Sequence, residues 1–183
     1  MQSTFKYERS VRVVRRWMIF FMGSLFISGL TAIPAETELQ FLSRCFPPDT
    51  GMGAWIDRVY VGVKTTNEQF PFISYGYDWL AFAHFVLAIL FIGPYKNPVR
   101  NKWVIEFGIL ACIAVIPFAL ITGQFRGIPL NWRLIDCSFG IVGLATLLVV
   151  YQKVITIEKI EEYFKEVRSK DLNENDNQII NQA

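Results

Sequence analysis

Four apolar stretches, each close to the length that crosses a bilayer, constrain this chain more than any other feature of its sequence. They cover residues 17–35, 75–95, 103–122 and 134–151. A helix needs about 20 predominantly apolar residues to cross a hydrocarbon core of about 30 Å. We therefore predict an all-α membrane protein, with four transmembrane helices packed as a bundle in a single domain over residues 1–171.

The composition supports a membrane protein over the common soluble classes. Hydrophobic residues make up 52% of the 183 residues and charged residues 19%, whereas soluble domains carry roughly 25% charged residues. This balance excludes a soluble enzyme, a disordered chain and a nucleic-acid binder. The first stretch follows Arg15 and Arg16, as a signal peptide would. A retained helix is favoured, because three further stretches follow and no cleavage site is evident after Pro34.

Polar residues modify two of the predicted helices. The purely apolar part of the second stretch is short, so its helix should begin early enough to bring Asp78 to the membrane surface. The third stretch needs Glu106 in its first turns to reach spanning length. Pro117 lies in the body of the same stretch and should kink it, because the carbonyl of Ile113 loses its usual donor.

The distribution of basic residues predicts the topology. Basic side chains occur in the N-terminal arm (Lys6, Arg9, Arg12, Arg15 and Arg16) and in the link between the second and third stretches (Lys96, Arg100 and Lys102). Six acidic side chains oppose three basic ones between Glu36 and Asp78. The positive-inside rule then places both termini in the cytoplasm of a bacterial-type inner membrane and the loop 36–77 outside. Arg126 and Arg133 in the last link oppose this assignment, and the other two segments outweigh them.

The segments outside the membrane carry two further helical patterns. Five apolar residues recur at helical spacing in the outer loop, namely Trp55, Ile56, Val59, Tyr60 and Val63. They predict an amphipathic helix lying in the outer interface. Residues 152–170 predict a charged cytoplasmic helix, and the Asn-rich segment 172–183 predicts a disordered tail.

Polar groups within a bilayer are costly, so they are the first candidates for function. The predicted topology brings six of them to the outer mouth of the bundle: Glu36, Asp78, His84, Arg126, Arg133 and Asp136. Such a cluster allows an ion-pair network, a proton site or an anion-binding pocket. Arg126 and Arg133 flank Trp132, and the three together could hold a lipid headgroup, a phosphate or a carboxylate, or simply anchor an interfacial turn.

Structural roles compete with each of these candidates. Asp78 and Asp136 could each complement a helix dipole in a first turn, and Arg133 could pair with Asp136 locally. His84 could hydrogen-bond to a neighbouring helix. Glu106 fits an interfacial ion pair with Lys102 or Arg100.

Small residues predict close helix packing in the first and fourth helices. They are Gly23, Ser24, Ser28 and Gly29, followed by Ser138, Gly140 and Gly143. The sequence leaves open whether they pack within the chain or against another protein.

Several catalytic and cofactor-binding classes lack their required residues. His84 is the only histidine, which excludes a haem held by two histidines. The sequence has no His-Glu-x-x-His, Gly-x-Ser-x-Gly or Cys-x-x-Cys motif. A disulfide between Cys45 and Cys137 stays open. We expect no metal and no cofactor.

Three functions follow in order of preference. The first is a non-enzymatic subunit that packs with other integral membrane subunits in a larger assembly. The alternative is a protein that binds or transports a ligand, a lipid headgroup or protons through the polar cluster. The third is an intramembrane enzyme. The expected partners are membrane lipid and membrane proteins, without nucleic acid.

Overall fold

The computed structural model describes residues 2–180, and every regular element in this range is a helix. The helices are α1 (Gln2–Ala32), α2 (Ala35–Cys45), α3 (Gly51–Gln69), α4 (Pro71–Leu90), α5 (Ile92–Lys96), α6 (Lys102–Phe125) and α7 (Leu130–Ile180). Four segments are long and apolar enough to cross a membrane: α1, α4 with α5, α6, and α7. The predicted all-α class with four membrane-crossing helices is confirmed, and by length and composition the chain is a multi-pass membrane protein.

Two of these helices extend well beyond the apolar stretches that the sequence marks. α1 has 31 residues and α7 has 51, which correspond to about 46 Å and about 76 Å. Both exceed a hydrocarbon core of about 30 Å, so the basic N-terminal arm and the charged segment 152–170 continue these helices. The structure continues α7 to Ile180, although the sequence predicts disorder over 172–183. Residues 181–183 lie outside the described part of the chain, and the disorder of the tail stays a prediction.

α1 is the central helix of the membrane domain. It packs against α4 on one side and α7 on another, and α6 packs against α7. The core lies at the end of the helices that carries Arg15, Arg16 and the link 97–101, called the basic end here. The opposite end, with α2, α3 and the link 126–129, is the loop end. The buried core residues are Val14, Met18, Phe21, Phe91, Val104, Ile105, Leu147, Val150, Val154 and Ile157.

The predicted outer loop folds into a helical hairpin. α2 and α3 pack against each other, and the predicted apolar residues of α3 lie on its less exposed side, with Ile56 fully buried. Thr50 caps α3, since its Oγ1 accepts a hydrogen bond of 3.0 Å from the amide of Gly53. The location of α3 in the membrane interface stays a prediction.

Proline occurs at two informative places in the membrane-crossing helices. Pro71 is the first residue of α4, where its missing N–H leaves no helical hydrogen bond unmade. Pro117 lies inside α6, which is one continuous helix from Lys102 to Phe125. The helix bounds do not give the direction of its axis on either side of Pro117, and the kink stays a prediction.

Candidate functional site

Two of the six predicted site residues share a pocket. Glu36 and Asp78 line a pocket of about 420 Å³ at the loop end, between the α1–α2 junction, α3 and α4. His84, Arg126, Arg133 and Asp136 do not line it. We call it the loop-end pocket.

A chain of side-chain hydrogen bonds forms one wall of the loop-end pocket. The Nδ2 amide of Asn67 on α3 donates to Oε2 of Glu36 at 2.5 Å. The Oγ of Ser74 on α4 donates to Oδ1 of Asn67. The three residues join α2, α3 and α4, so Glu36 has a fixed position. Asn67 and Ser74 were not predicted from the sequence, because nothing local indicates that their helices meet.

Asp78 differs from the sequence expectation in its place on the helix. α4 begins at Pro71, so Asp78 lies two turns inside the helix and cannot complement its N-terminus. The same correction applies to Asp136, because α7 begins at Leu130. Asp78 is exposed, and no cation lies within 4.0 Å of it or of Glu36 among the described residues. The loop-end pocket is thus acidic and open to a proton or a cationic group.

His84 makes its hydrogen bond within its own helix. Its Nδ1 lies 2.8 Å from the carbonyl oxygen of Leu80, one turn earlier in α4, so Nδ1–H donates to that oxygen. The hydrogen bond to a neighbouring helix that the sequence analysis allowed is therefore not made by this nitrogen. The side chain lies next to Gly29 of α1, where a Cβ atom would approach the His84 Cβ to 2.9 Å. His84 therefore belongs to the contact between α1 and α4.

Arg133 joins α7 to α6. Its Nη1 donates to the carbonyl oxygen of Leu120 at 3.1 Å, and its aliphatic part lies against Gly123. Any side chain at Gly123 would collide with it, since a Cβ there would lie 2.6 Å from the Arg133 Cγ. The local ion pair with Asp136 is not formed among the described residues. The Nε of Arg133 is buried and has no hydrogen-bond partner among the described residues.

Arg126 lies at the end of α6, three residues after Gly123. It is an exposed C-cap, and it is followed by Gly127, whose φ of 66° favours glycine. The anion site formed by Arg126, Arg133 and Trp132 stays a prediction.

The charged residues at the basic end pair across helices. Lys102 Nζ lies 2.8 Å from Oε2 of Glu158 on α7, and the Tyr151 hydroxyl donates to Oε1 of Glu106 at 3.1 Å. The interfacial ion pair predicted for Glu106 with Lys102 or Arg100 is not formed within 4.0 Å among the described residues. Both partners come from α7, far away in the chain, so sequence spacing could not identify them.

Cysteines and potential metal ligands are the remaining reactive groups of the described residues. Cys45, Cys112 and Cys137 are all free, and Cys137 is buried with its Sγ 3.8 Å from the carbonyl oxygen of Ile116. Among the described residues no group of three or more histidine, cysteine, aspartate or glutamate side chains could hold a metal ion.

No protein-family model matches this chain, and searches of curated proteins and of solved structures find no match either.

Proposed function

We propose that this protein is a non-enzymatic integral membrane subunit that packs against other membrane proteins in a bacterial-type inner membrane. In this proposal it crosses the membrane four times with both termini in the cytoplasm, and its helices complete a bundle together with a partner. The segregation of basic residues supports the orientation.

The observation that carries the proposal is an uncovered stripe of small polar residues on α1. Ser24, Ser28 and Thr31 are spaced four and three residues apart on α1, and all three are exposed. Small residues at this spacing allow another helix to approach closely in a membrane. Two of the hydroxyls are already bonded within the helix, Ser24 to Phe20 at 2.9 Å and Thr31 to Ser28 at 3.0 Å. The stripe therefore presents small side chains against which a partner helix can pack closely.

The other small residues support this interpretation by contrast. Gly29 is used against α4, and Gly140 and Gly143 are used against α6, because a Cβ at each would approach atoms of the neighbouring helix to 2.9 Å or less. Gly23 has nothing within 4 Å. The chain therefore uses some of its small residues internally and leaves others on α1 uncovered.

Photo-crosslinking in native membranes tests the proposal. A photoreactive amino acid at Ile27, within the exposed stripe, should give a discrete protein adduct. The control is Leu110 on α6, which is 65% exposed on an apolar surface without small neighbours of this kind and should react with lipid only. No protein adduct from Ile27, or equal adducts from both sites, would count against the proposal.

The loop-end pocket favours a second candidate function, the binding of a proton or a cationic ligand. Two carboxylates line it without a neighbouring cation, and an uncompensated pair of this kind attracts positive charge. The experiment is thermal unfolding of the purified protein with organic amines and divalent cations. Stabilisation should be lost in Glu36→Gln and Asp78→Asn. It should persist in Asp57→Asn, which removes an exposed acid outside the pocket.

The third hypothesis, an intramembrane enzyme, has no specific observation in its favour.

A further inference from the structure

A second pocket, of about 430 Å³, lies at the basic end of the molecule. It is bounded by the N-terminal part of α1, the end of α5 with the link that follows it, and α7. Three cationic side chains line it, namely Arg12 and Arg15 of α1 and Lys96 of α5. We call it the basic pocket.

The three cations of the basic pocket are free to bind an anion. Arg12 and Arg15 are three residues apart and so lie on one face of α1. Neither arginine nor Lys96 has a carboxylate within 4.0 Å among the described residues. The guanidinium of Arg15 lies over the ring of Tyr95, 5.8 Å from its centroid, and this contact restrains the arginine beside Lys96.

Two acidic side chains also line the basic pocket, and one of them is hydrogen-bonded within the protein. The two are Glu8 and Glu161. The Tyr7 hydroxyl donates to Oε1 of Glu161 at 3.1 Å and joins α1 to α7. Glu161 therefore helps to hold the wall formed by α7, while the three cations line the pocket from α1 and α5.

The basic pocket lies at the boundary of the apolar spans. Trp17, which begins the first apolar stretch, follows Arg15 by two residues, and Tyr95 directly precedes Lys96. Tryptophan and tyrosine are enriched at the level of lipid headgroups. If Trp17 and Tyr95 lie at that level, the pocket beside them faces the phosphates of the lipid.

We propose that the basic pocket binds the phosphate of a membrane lipid headgroup, with Arg12, Arg15 and Lys96 as the binding residues. Arginine binds phosphate through two parallel N–H donors, and lysine adds a compact charge. The same chemistry would accept free phosphate, so the experiment must separate the two sources.

Native mass spectrometry of the full chain in a neutral detergent provides the test. Phosphatidylglycerol, phosphatidylethanolamine and inorganic phosphate are titrated separately, and then phosphate is added in competition with each lipid. We expect one phospholipid to bind saturably, with no displacement by an equal concentration of inorganic phosphate. Displacement of the lipid by phosphate at that concentration would overturn the assignment to a headgroup.

A matched pair of triple variants separates a built site from general attraction to a basic surface. The variant Arg12→Gln, Arg15→Gln, Lys96→Gln should bind the lipid at least tenfold more weakly. The control Arg9→Gln, Arg16→Gln, Arg100→Gln removes the same charge from the same end, from residues that do not line the pocket, and should bind within about threefold of the unmodified protein. Equal losses in the two variants, or no saturable binding of any lipid, would overturn the proposal.

A single substitution tests the same proposal without depending on whether the triple variant folds. Lys96 is exposed at the end of α5, so Lys96→Glu should leave the helical circular dichroism and the elution volume unchanged. It should nevertheless weaken lipid binding more than Lys96→Gln does, because it adds a negative charge to the pocket. Equal binding by both Lys96 variants and the unmodified protein would contradict the proposal.

Discussion

At the level of single residues, positions that look alike in the sequence have different surroundings in the structure. Gly23 and Gly29 lie six residues apart on the same helix. A Cβ at Gly29 would come within 2.9 Å of the backbone oxygen of Ala81, whereas a Cβ at Gly23 meets nothing within 4 Å. Only Gly29 sets the distance between α1 and α4.

Gly29→Val should destabilise the purified protein by roughly 1–3 kcal/mol, because the added methyl groups force α1 and α4 apart. Gly23→Val is the control on the same helix and should cost less than about 0.5 kcal/mol. Unfolding by sodium dodecyl sulfate in mixed micelles, followed by circular dichroism, measures both. Similar unfolding midpoints for the two variants would contradict the close contact between Gly29 and α4.

The hydrogen bond of His84 predicts a mild effect for its replacement. Since Nδ1 bonds only to the carbonyl of Leu80 in its own helix, His84→Phe breaks no bond between helices. We expect the variant to accumulate in membranes as the unmodified protein does and to lose no more than about 1 kcal/mol of stability. Immunoblotting of membrane fractions and the same unfolding experiment check this. A sharp fall in yield would mean that His84 bonds across helices in the membrane.

At the scale of elements, the connection between α2 and α3 depends on one close backbone approach. The carbonyl of Pro47 lies so near Gly53 that a Cβ on Gly53 would overlap it, and that carbonyl also accepts the Thr50 hydroxyl at 2.8 Å. Gly51, two residues earlier, has open space around it. The hairpin thus requires glycine at one of these positions only.

Gly53→Ala should open the connection between residues 46 and 50, because the backbone has no flexible side chain that could move aside. Gly51→Ala should leave it intact and slightly favour the helix. Hydrogen exchange of this segment, together with limited proteolysis, distinguishes the variants. Equal protection in both would contradict the predicted collision.

At the scale of the whole molecule, the outstanding prediction is orientation. Cys45 is exposed at the end of α2, in the segment predicted to lie outside, while Cys137 is buried in the membrane domain. In sealed cells a membrane-impermeant maleimide should therefore label Cys45, and Cys45→Ser should abolish the labelling.

The link at the opposite end provides the counterpart of this experiment. Arg100→Cys, combined with Cys45→Ser, should be labelled only after the membrane has been permeabilised, because the basic link 97–101 is predicted to be cytoplasmic. Labelling of this cysteine in sealed cells would reverse the topology and place the basic pocket outside.

The class of the protein and its four membrane-crossing helices follow from the order of the residues alone. A run of about 20 apolar residues must form a helix in a bilayer, because lipid offers its backbone no other hydrogen-bonding partner. This requirement is local, and so it can be recognised without knowledge of neighbouring segments. Helix starts were less predictable, since α4 begins at Pro71 rather than near residue 75 and thereby moves Asp78 away from the first turn.

Contacts between polar residues of different helices follow from the way the helices pack. Tyr7 bonds to Glu161, 154 residues away, and Glu106 bonds to Tyr151, 45 residues away. Spacing along one helix predicts neighbours three or four residues apart, so it cannot indicate such pairs. The loop-end pocket arises in the same way, because α3 packs against both α2 and α4.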